Sequence, residues 1–157
     1  MVKYVNTQVV FQEIPDEVTL AINLSNCPIH CKGCHSPELW KDIGTKLTFK
    51  ELSRLIEENS GISCVCFMGG DNEPDTVVVL AELVKAKYPK LKVGWYSGQS
   101  TFPHPDLDAF DYIKIGPYIE EKGGLDNPNS NQKLYERILP LDNGFSDITY
   151  KFHEKNK

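Results

Sequence analysis

The sequence predicts an α/β protein, with parallel strands joined by crossover helices in an open partial (β/α) barrel. Three observations predict it. Short runs rich in β-branched and aromatic residues alternate with longer segments that are apolar on one face, the pattern of a parallel sheet with crossover helices. Polar or glycine-containing pieces repeatedly follow the strands: the run after Leu24, Gly69-Gly70-Asp71, Tyr96-Ser97-Gly98, and Gly116-Pro117 beside Lys114. In parallel α/β architectures the strand C-termini form the site, so these pieces are expected on one rim. Finally, too few strands are visible for a complete eight-stranded barrel. No repeat, low-complexity tract or linker divides the chain, so residues 1–157 are expected to form one domain.

The elements follow in order. Val18 to Leu24 alternates and is rich in β-formers, so it reads as a strand. Thr48-Phe49-Lys50-Glu51 resembles a capping box and opens a helix to about Glu58. Ser63 to Met68 is a short apolar run ended by glycines, hence a buried strand. Thr76 to Tyr88 reads as a helix stopped by Pro89. Leu91 to Tyr96 and Asp111 to Ile115 are further strands. Asn131 to Leu139 reads as a helix and Ile148 to His153 as a last strand. Leu52, Leu55, Ile56, Leu80, Leu83 and Val84 are the expected helical core residues.

Composition excludes several classes. The chain is 40% hydrophobic and 25% charged, as expected of a soluble globular protein. A net charge of −5 argues against a general nucleic-acid surface. No apolar run approaches the ~20 residues of a membrane span. The first residues, Met1 to Asn6, lack the apolar core of a signal peptide, so a cytoplasmic location without membrane attachment is expected. The five cysteines are Cys27, Cys31, Cys34, Cys64 and Cys66. An odd count argues against a disulfide framework and toward metal binding or reactive thiols.

Cys27, Cys31 and Cys34 lie in one run, Cys27-Pro28-Ile29-His30-Cys31-Lys32-Gly33-Cys34-His35, directly after the first predicted strand. Three thiolates do not close a tetrahedral structural zinc site unless His30 or His35 completes it. Three thiolates can also hold an iron–sulfur cluster with one iron open to a substrate. Cys64 and Cys66 alternate on a predicted buried strand, where free thiols pack as small apolar groups; a redox or second-cluster role is the alternative.

The spacing Cys-x3-Cys-x2-Cys resembles that of the radical S-adenosylmethionine enzymes. The resemblance implies a 4Fe-4S cluster on Cys27, Cys31 and Cys34, with the open iron chelated by the amino and carboxylate groups of S-adenosylmethionine. Gly69-Gly70-Asp71 resembles the family's Gly-Gly-Glu motif, which implies contact with the cofactor's amino group; Asp71 is one methylene shorter than the family's glutamate. Tyr96 and Ser97 match a segment that reaches a ribose or a carboxylate. Lys114 is placed to neutralise the cofactor's carboxylate. Gly33, Cys34 and His35 are the implied neighbours of the adenine.

A closer resemblance is to the small activating proteins of anaerobic ribonucleoside-triphosphate reductases. It rests on Cys27 to Trp40, on Tyr112-Ile113-Lys114-Ile115-Gly116-Pro117-Tyr118, and on Gly123-Gly124-Leu125-Asp126-Asn127-Pro128-Asn129-Ser130-Asn131-Gln132. It implies an activase that cleaves S-adenosylmethionine with one electron from an external donor such as flavodoxin. The resulting deoxyadenosyl radical takes a hydrogen from a glycine of the reductase. The short chain leaves one side of a partial barrel for a large partner to cover. A small-molecule radical enzyme, such as a 7-carboxy-7-deazaguanine synthase, shares the cluster and the fold. A non-catalytic zinc domain is the third expectation.

Overall fold

The computed structural model describes residues 2–25, 43–119, 121–137 and 144–154. The run bearing Cys27, Cys31 and Cys34, with Gly33 and His35, lies outside the described residues. The elements are β1 (Lys3–Val10), β2 (Thr19–Leu24), β3 (Thr45–Lys46), α1 (Phe49–Glu58), β4 (Cys64–Met68), α2 (Pro74–Lys87), β5 (Lys92–Tyr96), β6 (Tyr112–Ile115), β7 (Lys133–Arg137), β8 (Phe145–Asp147) and α3 (Tyr150–Glu154).

The strands form one mixed sheet in the order β3-β1-β2-β4-β5-β6-β7-β8. Its centre, β2-β4-β5-β6, is parallel and follows chain order. Antiparallel strands extend it on both sides: β1 and β3 beyond β2, β7 and β8 beyond β6. The parallel strands are those the sequence predicts; the antiparallel flanks go beyond that expectation.

Strand alternation divides the core in two. Leu20, Ile22 and Leu24, Val65 and Phe67, and Val93 and Trp95 pack with the buried sides of α1 and α2. Cys64, Cys66 and Met68, with Tyr96 and Tyr112, point to the opposite face. Ile14, Leu134, Ile148, Leu125 and Phe152 cover that second face. Each parallel strand is thus buried on both sides, which is why it reads as a nearly continuous apolar run.

Local chemistry explains the helices. Thr48 Oγ1 accepts the Glu51 N–H at 3.1 Å and starts α1. The Glu51 side chain instead accepts from the Tyr4 hydroxyl at 2.9 Å, so only half of the expected capping box forms. α2 begins two residues before the expected Thr76, because proline is tolerated in a first helical turn and Pro74 provides it.

Three expectations are corrected. Residues 133–137 are strand β7, not a helix, because pairing with β6 (Ile113 with Tyr135, Lys114 with Leu134) satisfies their backbone in the sheet. Ile148 to His153 is not a strand: β8 ends at Asp147 and the chain turns into α3, with Thr149 N donating to Asp147 Oδ1 at 2.9 Å. Leu83 is 38% exposed rather than core, because α2 is apolar nearly all round and its Val79 and Leu83 share the outer face.

Candidate functional site at the strand C-termini

The registers place Asn23, Met68, Tyr96 and Lys114 side by side across the parallel strands, close to their C-terminal ends. The described chain leaves β2 through Ser25, two residues before Cys27, and resumes at Ile43. Ser25 Oγ donates to the Ile43 carbonyl, so the two ends of the intervening segment are tied together beside β2.

Gly69 and Gly70 follow β4 with φ of +104° and +88°, the left-handed region open to glycine. Gly69 N donates to the Tyr96 carbonyl at 2.9 Å, and Gly69 O accepts the buried Trp95 indole N–H at 2.7 Å. A Cβ on Gly70 would lie 2.6 Å from Val77 Cγ2 and 2.8 Å from Leu24 Cδ1. The glycine pair thus lets the rim pack closely on β2 and α2.

Asp71 turns toward β5. Its Oδ1 accepts the Ser97 hydroxyl at 2.6 Å and its Oδ2 accepts the Gly98 N–H at 2.9 Å. Ser97 is fully buried, and its carbonyl accepts from Lys114 Nζ at 3.2 Å. Lys114 is 9% exposed, also donates to the Gly116 carbonyl at 3.0 Å, and stands 5.8 Å from the centre of the Tyr96 ring. The structure therefore brings Gly69, Gly70, Asp71, Tyr96, Ser97 and Lys114 to one rim. The Tyr96 hydroxyl points elsewhere, donating to the Glu13 carbonyl in the β1–β2 connection. Burial there pushes its pKa well above the usual phenol value.

The Asn-rich segment folds onto the same end of the sheet. Asn131 Nδ2 donates to the Pro117 carbonyl at 2.9 Å, and Ser130 Oγ donates to the Gly123 carbonyl at 2.9 Å. Gly116 lies against Asn131 and Gln132, with φ of +102°. The sequence points to Gly116 as a strand-following piece of the rim and to the Asn-rich loop by resemblance; it does not show Gly98 as a hydrogen-bond donor. Only the register of β4 against β5 brings Gly98 to Asp71.

Asp111, the other charged residue near Lys114 in sequence, sits at the opposite end of the sheet. It accepts the Val93 N–H at 2.9 Å and pairs with Lys85 at 2.6 Å. A second buried cluster closes that end: Glu17 accepts from Ser63 Oγ at 2.7 Å and from the Tyr112 hydroxyl at 2.9 Å. A cavity of about 870 Å³ lined by Phe102, His104, Leu107, Arg137 and Phe145 includes none of the rim residues.

Cys64 and Cys66 are fully buried. Burial first, then the charge of Glu17 near Cys64, pushes the Cys64 thiol far up; burial does the same to Cys66. Thiols held protonated this firmly are poor metal ligands. Among the described residues no group of three His, Cys, Asp or Glu could hold a metal ion. The remaining cysteines, Cys27, Cys31 and Cys34, lie outside the described residues; three thiols in one short run have the chemistry to hold iron with one position not filled by cysteine.

Residues 18–113 match the family model described as a 4Fe-4S single cluster domain. The match spans more than half of the chain, and it contains all five cysteines. The class defined here is that of iron–sulfur proteins carrying one 4Fe-4S cluster. The chain belongs to the 4Fe-4S single cluster domain family. No curated protein and no solved structure matches it. Among the described residues no helix is long and apolar enough to cross a membrane.

Proposed function

We propose that the protein is a radical S-adenosylmethionine activase for an anaerobic ribonucleoside-triphosphate reductase. One observation carries the reading: the three cysteines left once two are placed in the core follow directly after β2 in sequence, and β2 ends at the rim that holds Asp71 and Lys114. Four parallel strands in chain order support an open partial (β/α) barrel as the frame.

When bound, the cluster and S-adenosylmethionine supply a one-electron cleavage of the sulfonium, giving methionine and, after one hydrogen leaves a partner glycine, 5′-deoxyadenosine. Cys27, Cys31 and Cys34 would hold the cluster. Asp71 keeps lone pairs on both oxygens beyond its two internal bonds, and these receive the cofactor's ammonium group. Lys114 offsets its carboxylate. The Tyr96 ring borders Lys114, and Gly69-Gly70 lets the strand end pack closely on β2 and α2. Gly33, Cys34 and His35 would line the adenine end. No residue acts as acid or base; the chain orients the cofactor against the partner glycine and excludes water. The electron comes from an external donor such as flavodoxin, in the cytoplasm.

The test mixes anaerobically reconstituted protein with S-adenosylmethionine, a reductant and the reductase, and records electron paramagnetic resonance. A glycyl doublet on the reductase is expected. Cofactor cleavage with no doublet contradicts the activase role and leaves a small-molecule radical enzyme.

A further inference from the structure

We propose that Ser97 is the positioning residue of the rim: it holds the oppositely charged Asp71 and Lys114 where they receive the amino-acid end of a ligand, and it does not touch that ligand itself. The ligand half of this inference rests on the function proposed above; the bracing half does not.

A serine hydroxyl has one donor. That of Ser97 is given to Asp71 Oδ1 at 2.6 Å, and Ser97 Oγ itself accepts the Gln99 N–H at 3.0 Å. The Ser97 N–H donates to the Lys114 carbonyl at 2.9 Å, and the Ser97 carbonyl accepts from Lys114 Nζ at 3.2 Å. One fully buried residue therefore ties down a carboxylate from the end of β4 and an ammonium from β6. Its neighbour Gly98 completes the brace by donating to the second Asp71 oxygen. Hydrogen bonds to a carboxylate are among the strong ones, and burial keeps water from replacing them. An ammonium and a carboxylate fixed at the ends of β6 and β4, on either side of β5, match, with signs reversed, the carboxylate and ammonium of an α-amino acid. A hydroxyl whose proton is already given has none left for a ribose.

The experiment uses Ser97→Ala and two probes. S-Adenosylhomocysteine keeps the amino-acid end, whereas 5′-methylthioadenosine lacks it. Calorimetry on reconstituted protein is expected to show roughly tenfold weaker binding of S-adenosylhomocysteine to the variant, the effect of losing one bond to a charged group. Binding of 5′-methylthioadenosine is expected to be unchanged. A parallel loss for both probes would overturn the assignment and make Ser97 a nucleoside contact.

A second arm needs no ligand. In Ser97→Ala, amide exchange at Gly98 is expected to rise several-fold as Asp71 is released, while acetylation of Lys114 by acetic anhydride keeps its wild-type rate because the Ser97 main-chain carbonyl that holds it remains; circular dichroism is unchanged. A wild-type exchange rate at Gly98 overturns the brace. If the wild-type protein binds neither probe, the ligand half falls with the proposed function, and the Gly98 exchange rate still decides the brace.

Discussion

A methyl group at position 70 would meet Val77 and Leu24 well inside contact distance, on a backbone already at φ of +88°. Gly70→Ala is therefore expected to destabilise the protein by about 1–3 kcal/mol through overpacking and strain. Urea unfolding of the variant measures this, and an unchanged midpoint would refute it. The residue scale also shows what single positions reveal in advance. The Gly69-Gly70 pair is visible in the sequence as a place of close approach, but what approaches Gly70 is α2 and β2. The cysteine spacing is visible because Cys27, Cys31 and Cys34 fall within eight residues of the chain. The Asp71–Ser97 bond is not visible, because it joins residues 26 apart that meet only once β4 and β5 pair.

At the scale of elements, β2, α1, β4, α2, β5 and β6 could be read from periodicity, since each carries a continuous buried run or a start signal. β1 could not, because polar Asn6, Thr7 and Gln8 interrupt its apolar residues; it forms by antiparallel pairing with β2. Asn131 to Leu139 reads as a helix, and pairing of Lys133 to Arg137 with the open edge of β6 overrides it. Tyr150 to Glu154 alternates like a strand, yet it follows the Asp147–Thr149 turn and brings Phe152 onto the second face. Two predictions belong here. Thr48→Ala removes the α1 cap bond and is expected to cost about 1 kcal/mol in chemical denaturation. Ile14 in the β1–β2 connection is fully buried against Gly94, where an added Cβ would lie 2.8 Å from its Cδ1. Ile14→Ala is expected to cost about 2–5 kcal/mol by leaving a cavity over the second face. A loss under 1 kcal/mol, roughly that of a surface site, would show that the connection does not close that face.

For the whole molecule, the second core links stability to pH. Cys64 and Cys66 are buried as neutral thiols, and their folded pKa values lie above the ordinary 9.0. Each thus contributes stability in full below the unfolded value and loses it as pH rises toward the folded one. Unfolding free energy of the apo protein is expected to fall from about pH 9 upward, by at most about 1.4 kcal/mol per pH unit for each thiol. A Cys64→Ala/Cys66→Ala protein is expected to show a shallower decline, read from urea unfolding at successive pH values; an equally steep one would place the cause elsewhere. Under the proposed function the same division assigns two cysteines to the core and leaves three for the cluster, in the segment that follows β2 in sequence.

The central claim is that three cysteines leave one iron of the 4Fe-4S cluster open for S-adenosylmethionine. The most direct measurement is the electron paramagnetic resonance spectrum of the reduced cluster with and without S-adenosylmethionine. The account predicts a changed spectrum on addition of the cofactor, because a new ligand on one iron alters the electronic environment of the whole cluster. An identical spectrum at saturating cofactor would contradict it.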